Sequence, residues 1–171
     1  MINRPKSDEY APYAVVYVNA VPNGADVLQV LVDNQAATYN LFHNMTEEQA
    51  MHAYADGKWT LKEVLGHMID TERVFSFRAF VFSREDISLP GFDQETYVNS
   101  TDFNSRSIKS LADEFKAVRE ATLYLYRSFS AEQLGRSGVA SGALVKVGAL
   151  VYLTAGHEIY HLNIIKEKYL K

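Results

Sequence analysis

The 171 residues predict an all-α fold, a four-helix bundle in up-down-down-up order, and three observations carry that prediction. Apolar residues recur at three- and four-residue spacing over four long stretches, near 25–45, 61–84, 107–129 and 145 to the end. Helix-start signals stand in front of the inner two. Between them, residues 85–104 show neither helical nor strand period and contain Pro90-Gly91, the mark of a lid, a binding loop or a crossover.

The elements follow in order. Residues 1–24 hold Pro5, Pro12 and Pro22 and read as an extended, irregular arm laid against the body by Tyr10, Tyr13 and Tyr17. Asn23 is the expected cap of a first helix carrying Leu28, Leu31, Val32, Tyr39 and Phe42. Thr60-Leu61-Lys62-Glu63 is a capping box, flanked by Trp59 and Val64 at the positions of a hydrophobic staple, so the second helix starts there and Glu63 is committed to its end. That helix, about 36 Å long, is shorter than the roughly 66 Å that about twenty extended residues can span. Residues 85–104 can therefore return the chain to the end where the second helix began, making helices two and three parallel. Ser107 caps the third helix, with a seam of Ile108, Leu111, Phe115, Val118, Thr122, Leu125 and Phe129. Ser130 to Gln133 reads as another capping box, Gly135, Gly138 and Gly142 as a flexible connection, and the fourth helix starts at Val145 or Lys146 without a side-chain cap.

Bulk composition narrows the function. At 47% hydrophobic and 22% charged, the chain is in the range of one ordinary domain spanning 1–171. A formal charge of -4 with no Lys/Arg cluster argues against nucleic acid or an anionic membrane as partner. No stretch approaches the roughly 20 apolar residues of a membrane span, and no leader is recognisable, so the expected location is cytoplasmic. Cysteine is absent. Any thiol chemistry must use a thiol carried in by a small molecule.

The chemistry concentrates in Gly156-His157-Glu158-Ile159-Tyr160-His161. Two histidines four apart share one helix face, and both imidazoles reach one metal ion. The letters match the H-E-x-x-H of zinc proteases, whose glutamate is the general base. No third ligand follows His161, so it must come from upstream. His67 supplies it: it stands roughly 10 Å into the second helix, His161 roughly 12 Å from the end of the fourth, and these levels coincide when the two helices are antiparallel. His43 and His52 lie in or beside a polar connection and read as solvated.

The chain resembles the DinB-like (YfiT-like) superfamily in Lys58-Trp59-Thr60-Leu61-Lys62-Glu63-Val64-Leu65-Gly66-His67, Asp70-Thr71-Glu72-Arg73, Leu89-Pro90-Gly91-Phe92-Asp93 and Ala155 through Asn163, as well as in the Glu9-Tyr10-Ala11-Pro12-Tyr13 arm. That resemblance implies an up-down-down-up bundle, a homodimer, and a three-histidine site falling on His67, His157 and His161 that binds one nickel or zinc ion per chain, or iron or manganese. It also implies small-molecule substrates, since the family includes thiol S-transferases and a maleylpyruvate isomerase. The family's name comes from induction by DNA damage, which does not imply DNA binding. Lys146, where a serine is commoner, departs from the pattern.

Three imidazoles with open positions form a catalytic rather than a closed structural pattern. Such a centre makes water or a thiol nucleophilic at neutral pH, and a low-molecular-weight thiol such as bacillithiol, mycothiol or glutathione is the cofactor implied. Glu158 is the candidate base, with ligand orientation or a surface pair as its other readings. Asp70 and Thr71 are candidates for supporting His67. A thiol transferase or hydrolase is the preferred function, a non-catalytic metal-binding stress-response bundle the alternative. A di-iron carboxylate site requires a second Glu-x-x-His with inward carboxylates, and the sequence has none.

Overall fold

The computed structural model describes residues 2–170. The protein is mostly helical: α1 (Val15–Ala20), α2 (Val27–His43), α3 (Glu47–Ala50), α4 (Leu61–Phe82), α5 (Gln94–Asn99), α6 (Ile108–Arg127), α7 (Ala131–Gly135) and α8 (Val147–Ile164), the last continuing as a π turn over Ile165–Tyr169. Among the described residues no helix is long and apolar enough to cross a membrane. The described residues also form three short strands: β1 (Ser88–Leu89) pairs in parallel with β2 (Ser137–Ala140), which pairs antiparallel with β3 (Ala143–Lys146).

The four long helices coincide closely with the four periodic stretches. Thr60 accepts from the Glu63 amide while Glu63 reaches back to the Thr60 amide, and Ser107 accepts from the Ser110 amide, as their sequences require. α2 is capped by Asp26 rather than the expected Asn23, because only Asp26 stands in extended conformation directly before the first turn, accepting from the Leu28 amide.

Three segments differ from the reading of the sequence, each through tertiary packing. The arm over 1–24 is not irregular throughout. A 3-10 turn at Pro12–Ala14 leads into α1, and Ala14 of the turn and Val18 of the helix are buried in the core. Residues 85–104 carry β1, α5 and a 3-10 turn at Phe103–Ser105, each too short to display a period. The glycine-rich connection is a hairpin whose turn uses Ser141 (φ 54°) and Gly142 (φ 77°), the left-handed pair that a two-residue turn needs. β3 then runs directly into α8. The Val147 amide donates to the Arg136 carbonyl at 2.9 Å, so a backbone oxygen from the hairpin replaces the missing side-chain cap, and Lys146 instead pairs with Glu9.

The core is two apolar clusters separated by a polar layer. One gathers Val27, Leu31, Phe82, Leu123, Tyr126 and Leu150; the other gathers Phe42, Leu65, Met68, Leu111, Phe115 and Ile165. Between them each long helix contributes a buried polar side chain: Thr38 from α2, His67, Thr71 and Glu72 from α4, Arg119 from α6, His157 and Glu158 from α8. Pairs across the helices fix their relative levels. Thr60 donates to Asn104 just ahead of α6, Arg73 pairs with Glu114, Gln35 donates to the Lys116 carbonyl, and Tyr169 donates to the Trp59 carbonyl.

Candidate metal centre

The polar layer divides into two clusters, and the first is built from α4 and α8. His67 stands seven residues into α4 and His157 and His161 stand on one face of α8, so each helix delivers imidazoles at the level where the apolar clusters part. A glycine precedes the first histidine on each helix. At Gly66 a Cβ would meet the Phe103 ring at 2.5 Å, and at Gly156 it would meet the Tyr17 carbonyl oxygen at 1.9 Å. The absent side chains let Phe103 close on α4 and let α1 lie against α8, walling the histidines from both sides.

The three Nε2 atoms form a triangle. His67 and His157 are 3.0 Å apart, His67 and His161 3.2 Å, and His157 and His161 3.1 Å. Hydrogen bonding serves this arrangement poorly. A neutral imidazole brings either an N–H or a lone pair to such a point, and one proton inside the triangle cannot pair all three nitrogens. A single cation can. With metal–nitrogen bonds of about 2.05 Å, the edge between two ligands is about 2.9 Å at a right angle and about 3.3 Å at the tetrahedral angle, and all three observed edges fall in that interval. Among the described residues this is the one group of three or more His, Asp or Glu side chains gathered closely enough to hold an ion.

Electrostatics favour the neutral ligand form. Burial, with His161 nearby, lowers the His67 pKa to about 3; burial lowers that of His161 to about 4; burial and both neighbours hold His157 well below the ordinary histidine range. All three therefore present lone pairs at neutral pH. Thr71 Oγ1 lies 3.4 Å from His67 Nδ1, on the far side of the ring from the triangle, where a donated N–H leaves Nε2 as the free nitrogen. Aromatic rings pack around the cluster: Tyr17 edge-on to His157 at 5.3 Å, Phe75 to the same ring at 6.0 Å, Trp59 against His67 at 5.0 Å.

The second cluster removes Glu158 from the candidate base role. Its carboxylate accepts from the Thr38 hydroxyl at 2.6 Å and lies 2.8 Å from Arg119 Nη1. That ionic contact is poorly angled for a hydrogen bond, so Oε2 is buried without a donor. Residue 158 is turned about 100° from 157 on the helix, which directs it toward α2 and α6 and away from the triangle; it is neither a base at the centre nor a surface pair. Glu72 takes a bidentate grip on the same guanidinium through Nε and Nη2, both at 2.8 Å, and Nη1 donates to the Leu31 carbonyl at 2.9 Å. Burial disfavours the Arg119 cation, but the two carboxylates outweigh it and hold the group firmly protonated, while burial pushes the Glu158 carboxyl up.

The other candidates separate cleanly. Asp70 faces Arg73 at 3.6 Å rather than His67. His43 stacks on Tyr39 at 4.9 Å, and His52 meets Tyr169 edge-on at 6.1 Å; neither joins the triangle. Two further residues shape the site. Tyr17, an arm anchor by its sequence, packs on His157, and the glycine directly before that histidine is the one sequence signal of close approach there. Arg119 stands four after Phe115, a charge on an apolar face.

With this geometry in place, the chain can be set beside known proteins. Residues 31–165 match the family described as the DinB superfamily. No curated protein sequence is significantly similar. Among solved structures, YfiT from Bacillus subtilis, described as a probable metal-dependent hydrolase with an unusual four-helix bundle topology, aligns with a TM-score of 0.75 at 18% identity, covering 86% of this chain and 90% of that one. At that identity the likeness speaks for the fold.

Proposed function

We propose, from the premise that this chain belongs to the DinB superfamily, that His67, His157 and His161 hold one divalent metal ion per chain and that the protein is a metal-dependent enzyme of hydrolase or thiol-transferase type. The observation that carries the reading is the Nε2 triangle with edges of 3.0, 3.1 and 3.2 Å. The order of the bundle in this reading is up-down-down-up. In its support, α2 and α8 pass from the Leu31–Leu150 cluster to the Phe42–Ile165 cluster, and α4 and α6 pass the other way.

A divalent ion at this point supplies Lewis-acid chemistry that makes water or a thiol nucleophilic near pH 7. The chain's own residues do the rest. Three imidazoles kept neutral by burial offer lone pairs, Thr71 fixes the His67 ring, and Tyr17, Phe75 and Trp59 keep bulk water from the ligand nitrogens. Because the chain has no cysteine, the sulfur of a transfer reaction comes from a small-molecule thiol. The hydrolase reading is favoured by the description of YfiT.

Elemental analysis of untagged protein, followed by ester and thiol-transfer panels on the metal-replete form, tests the reading. One ion per chain and turnover in either panel is the expected result. Less than a tenth of an equivalent after incubation with nickel, zinc or manganese would overturn the centre; full occupancy without turnover would leave a non-catalytic metal protein.

A further inference from the structure

Next to the triangle lies a cleft of about 290 Å³ that the sequence did not announce. It is assembled from distant parts of the chain: α1, the segment before α4, the start of α5, and the end of α8 with its π turn. His161 is the one histidine of the three that lines it, and it is half-buried where His67 and His157 are 1% and 5% exposed. A molecule seated in the cleft therefore approaches the metal centre past His161.

The walls define what fits. Tyr17, Tyr54, Trp59, Tyr160 and Tyr169 contribute five aromatic rings. Tyr17 and Tyr160 meet edge-on at 5.4 Å, as do Tyr54 and Tyr169 at 4.9 Å, so the lining tyrosines stand in two T-shaped pairs. Tyr54 and Tyr160 remain 38% and 39% exposed, apolar area that a ligand would cover. The charged side chains in the lining are Lys58 and Glu95, one of each sign, so the cleft favours neither an anion nor a cation. Volume and lining match a small-molecule site of the smaller kind.

We propose that this cleft is the substrate-binding site and that it selects an uncharged molecule bearing an aryl ring, which it stacks between the tyrosine pairs and Trp59 with the reactive arm directed past His161. The reacting end of this assignment rests on the metal-centre reading; the ring-binding end stands on the cleft alone.

The experiment separates the two. Cobalt-substituted protein is titrated with phenylmethanethiol and with butane-1-thiol, read by the sulfur-to-cobalt absorption band. The aryl thiol binds about tenfold more tightly, as the stacking of one ring on aromatic walls provides. In Tyr54→Ala and Tyr160→Ala, two partly exposed positions whose loss leaves the core intact, the preference falls below about threefold while metal content stays at one per chain. Equal affinity for both thiols in the unmodified protein overturns the proposal and leaves the centre standing. Should the protein take up no metal, the metal reading falls, and benzyl alcohol against butan-1-ol on metal-free protein still decides the cleft. Trp59, the one tryptophan of the chain, reports it by its emission. A preference for the aryl alcohol that the two variants lose supports the proposal, and its absence overturns it.

Discussion

The histidine triangle and the Glu72–Arg119–Glu158 cluster are neighbours built on the same helices, His157 beside Glu158 on α8 and His67 five residues before Glu72 on α4, yet they solve opposite problems. Around Arg119, charge is buried and answered from within: every nitrogen of the guanidinium has an oxygen at 2.8 or 2.9 Å, supplied by three other helices. In the triangle three buried, neutral imidazoles bring their Nε2 atoms within 3.2 Å of one another, an arrangement that a shared cation would satisfy. The difference teaches how one polar layer can be both lock and socket. The ionic cluster ties all four long helices at fixed levels, and that register brings nitrogens of two helices to a common point.

The contrast yields four expectations, in descending size. Arg119→Met leaves two carboxylates buried without a counter-charge and should cost about 3–5 kcal/mol of stability by urea unfolding. Much of that loss should return in the triple variant Glu72→Gln, Arg119→Met, Glu158→Gln. If the single change is neutral, Arg119 does not lock the bundle. His157→Ala should reduce bound metal to background and remove the stabilisation the ion confers, about 2.7 kcal/mol at a free metal concentration of 100 Kd; metal content equal to the unmodified protein would end the socket description.

Acid should act on the socket. With folded pKa values of about 3 for His67 and about 4 for His161, against about 6.5 unfolded, the unfolded chain binds more protons throughout that window. Stability of the metal-free protein therefore holds above pH 6.5 and declines as pH falls below it toward 4. Thermal midpoints flat from pH 7 to 5 would contradict neutral, buried imidazoles. The smallest effect belongs to Thr71→Val, which should weaken metal affinity about tenfold by freeing the His67 ring, measured by competition with a chromophoric chelator; Asp70→Asn, one residue away and facing Arg73, serves as the control that changes nothing.

The socket was more legible in the sequence than the lock. Spacing alone put His157 and His161 on one face, and the Thr60 box fixed where α4 starts and hence the level of His67. These are local rules acting through helical geometry. Glu158 marks the limit of such rules: H-E-x-x-H is a pattern of letters, and the direction of its glutamate depends on what packs against the next 100° of the helix. Here that is Arg119. α1 was hidden in a proline-rich arm, and the hairpin in a run of glycines, because elements of four to six residues are too short for periodicity to register.

By itself the sequence determined the four long helices, the caps of α4 and α6 and the levels of the three histidines, because each depends on contacts within a turn or two of the chain. Only the tertiary structure decided that α1 packs over His157, that the carboxylate beside His157 serves the core, and that five aromatic rings from separate segments share one cleft. Those outcomes depend on which surfaces meet across the bundle, and a linear pattern does not carry that information until the helices are packed.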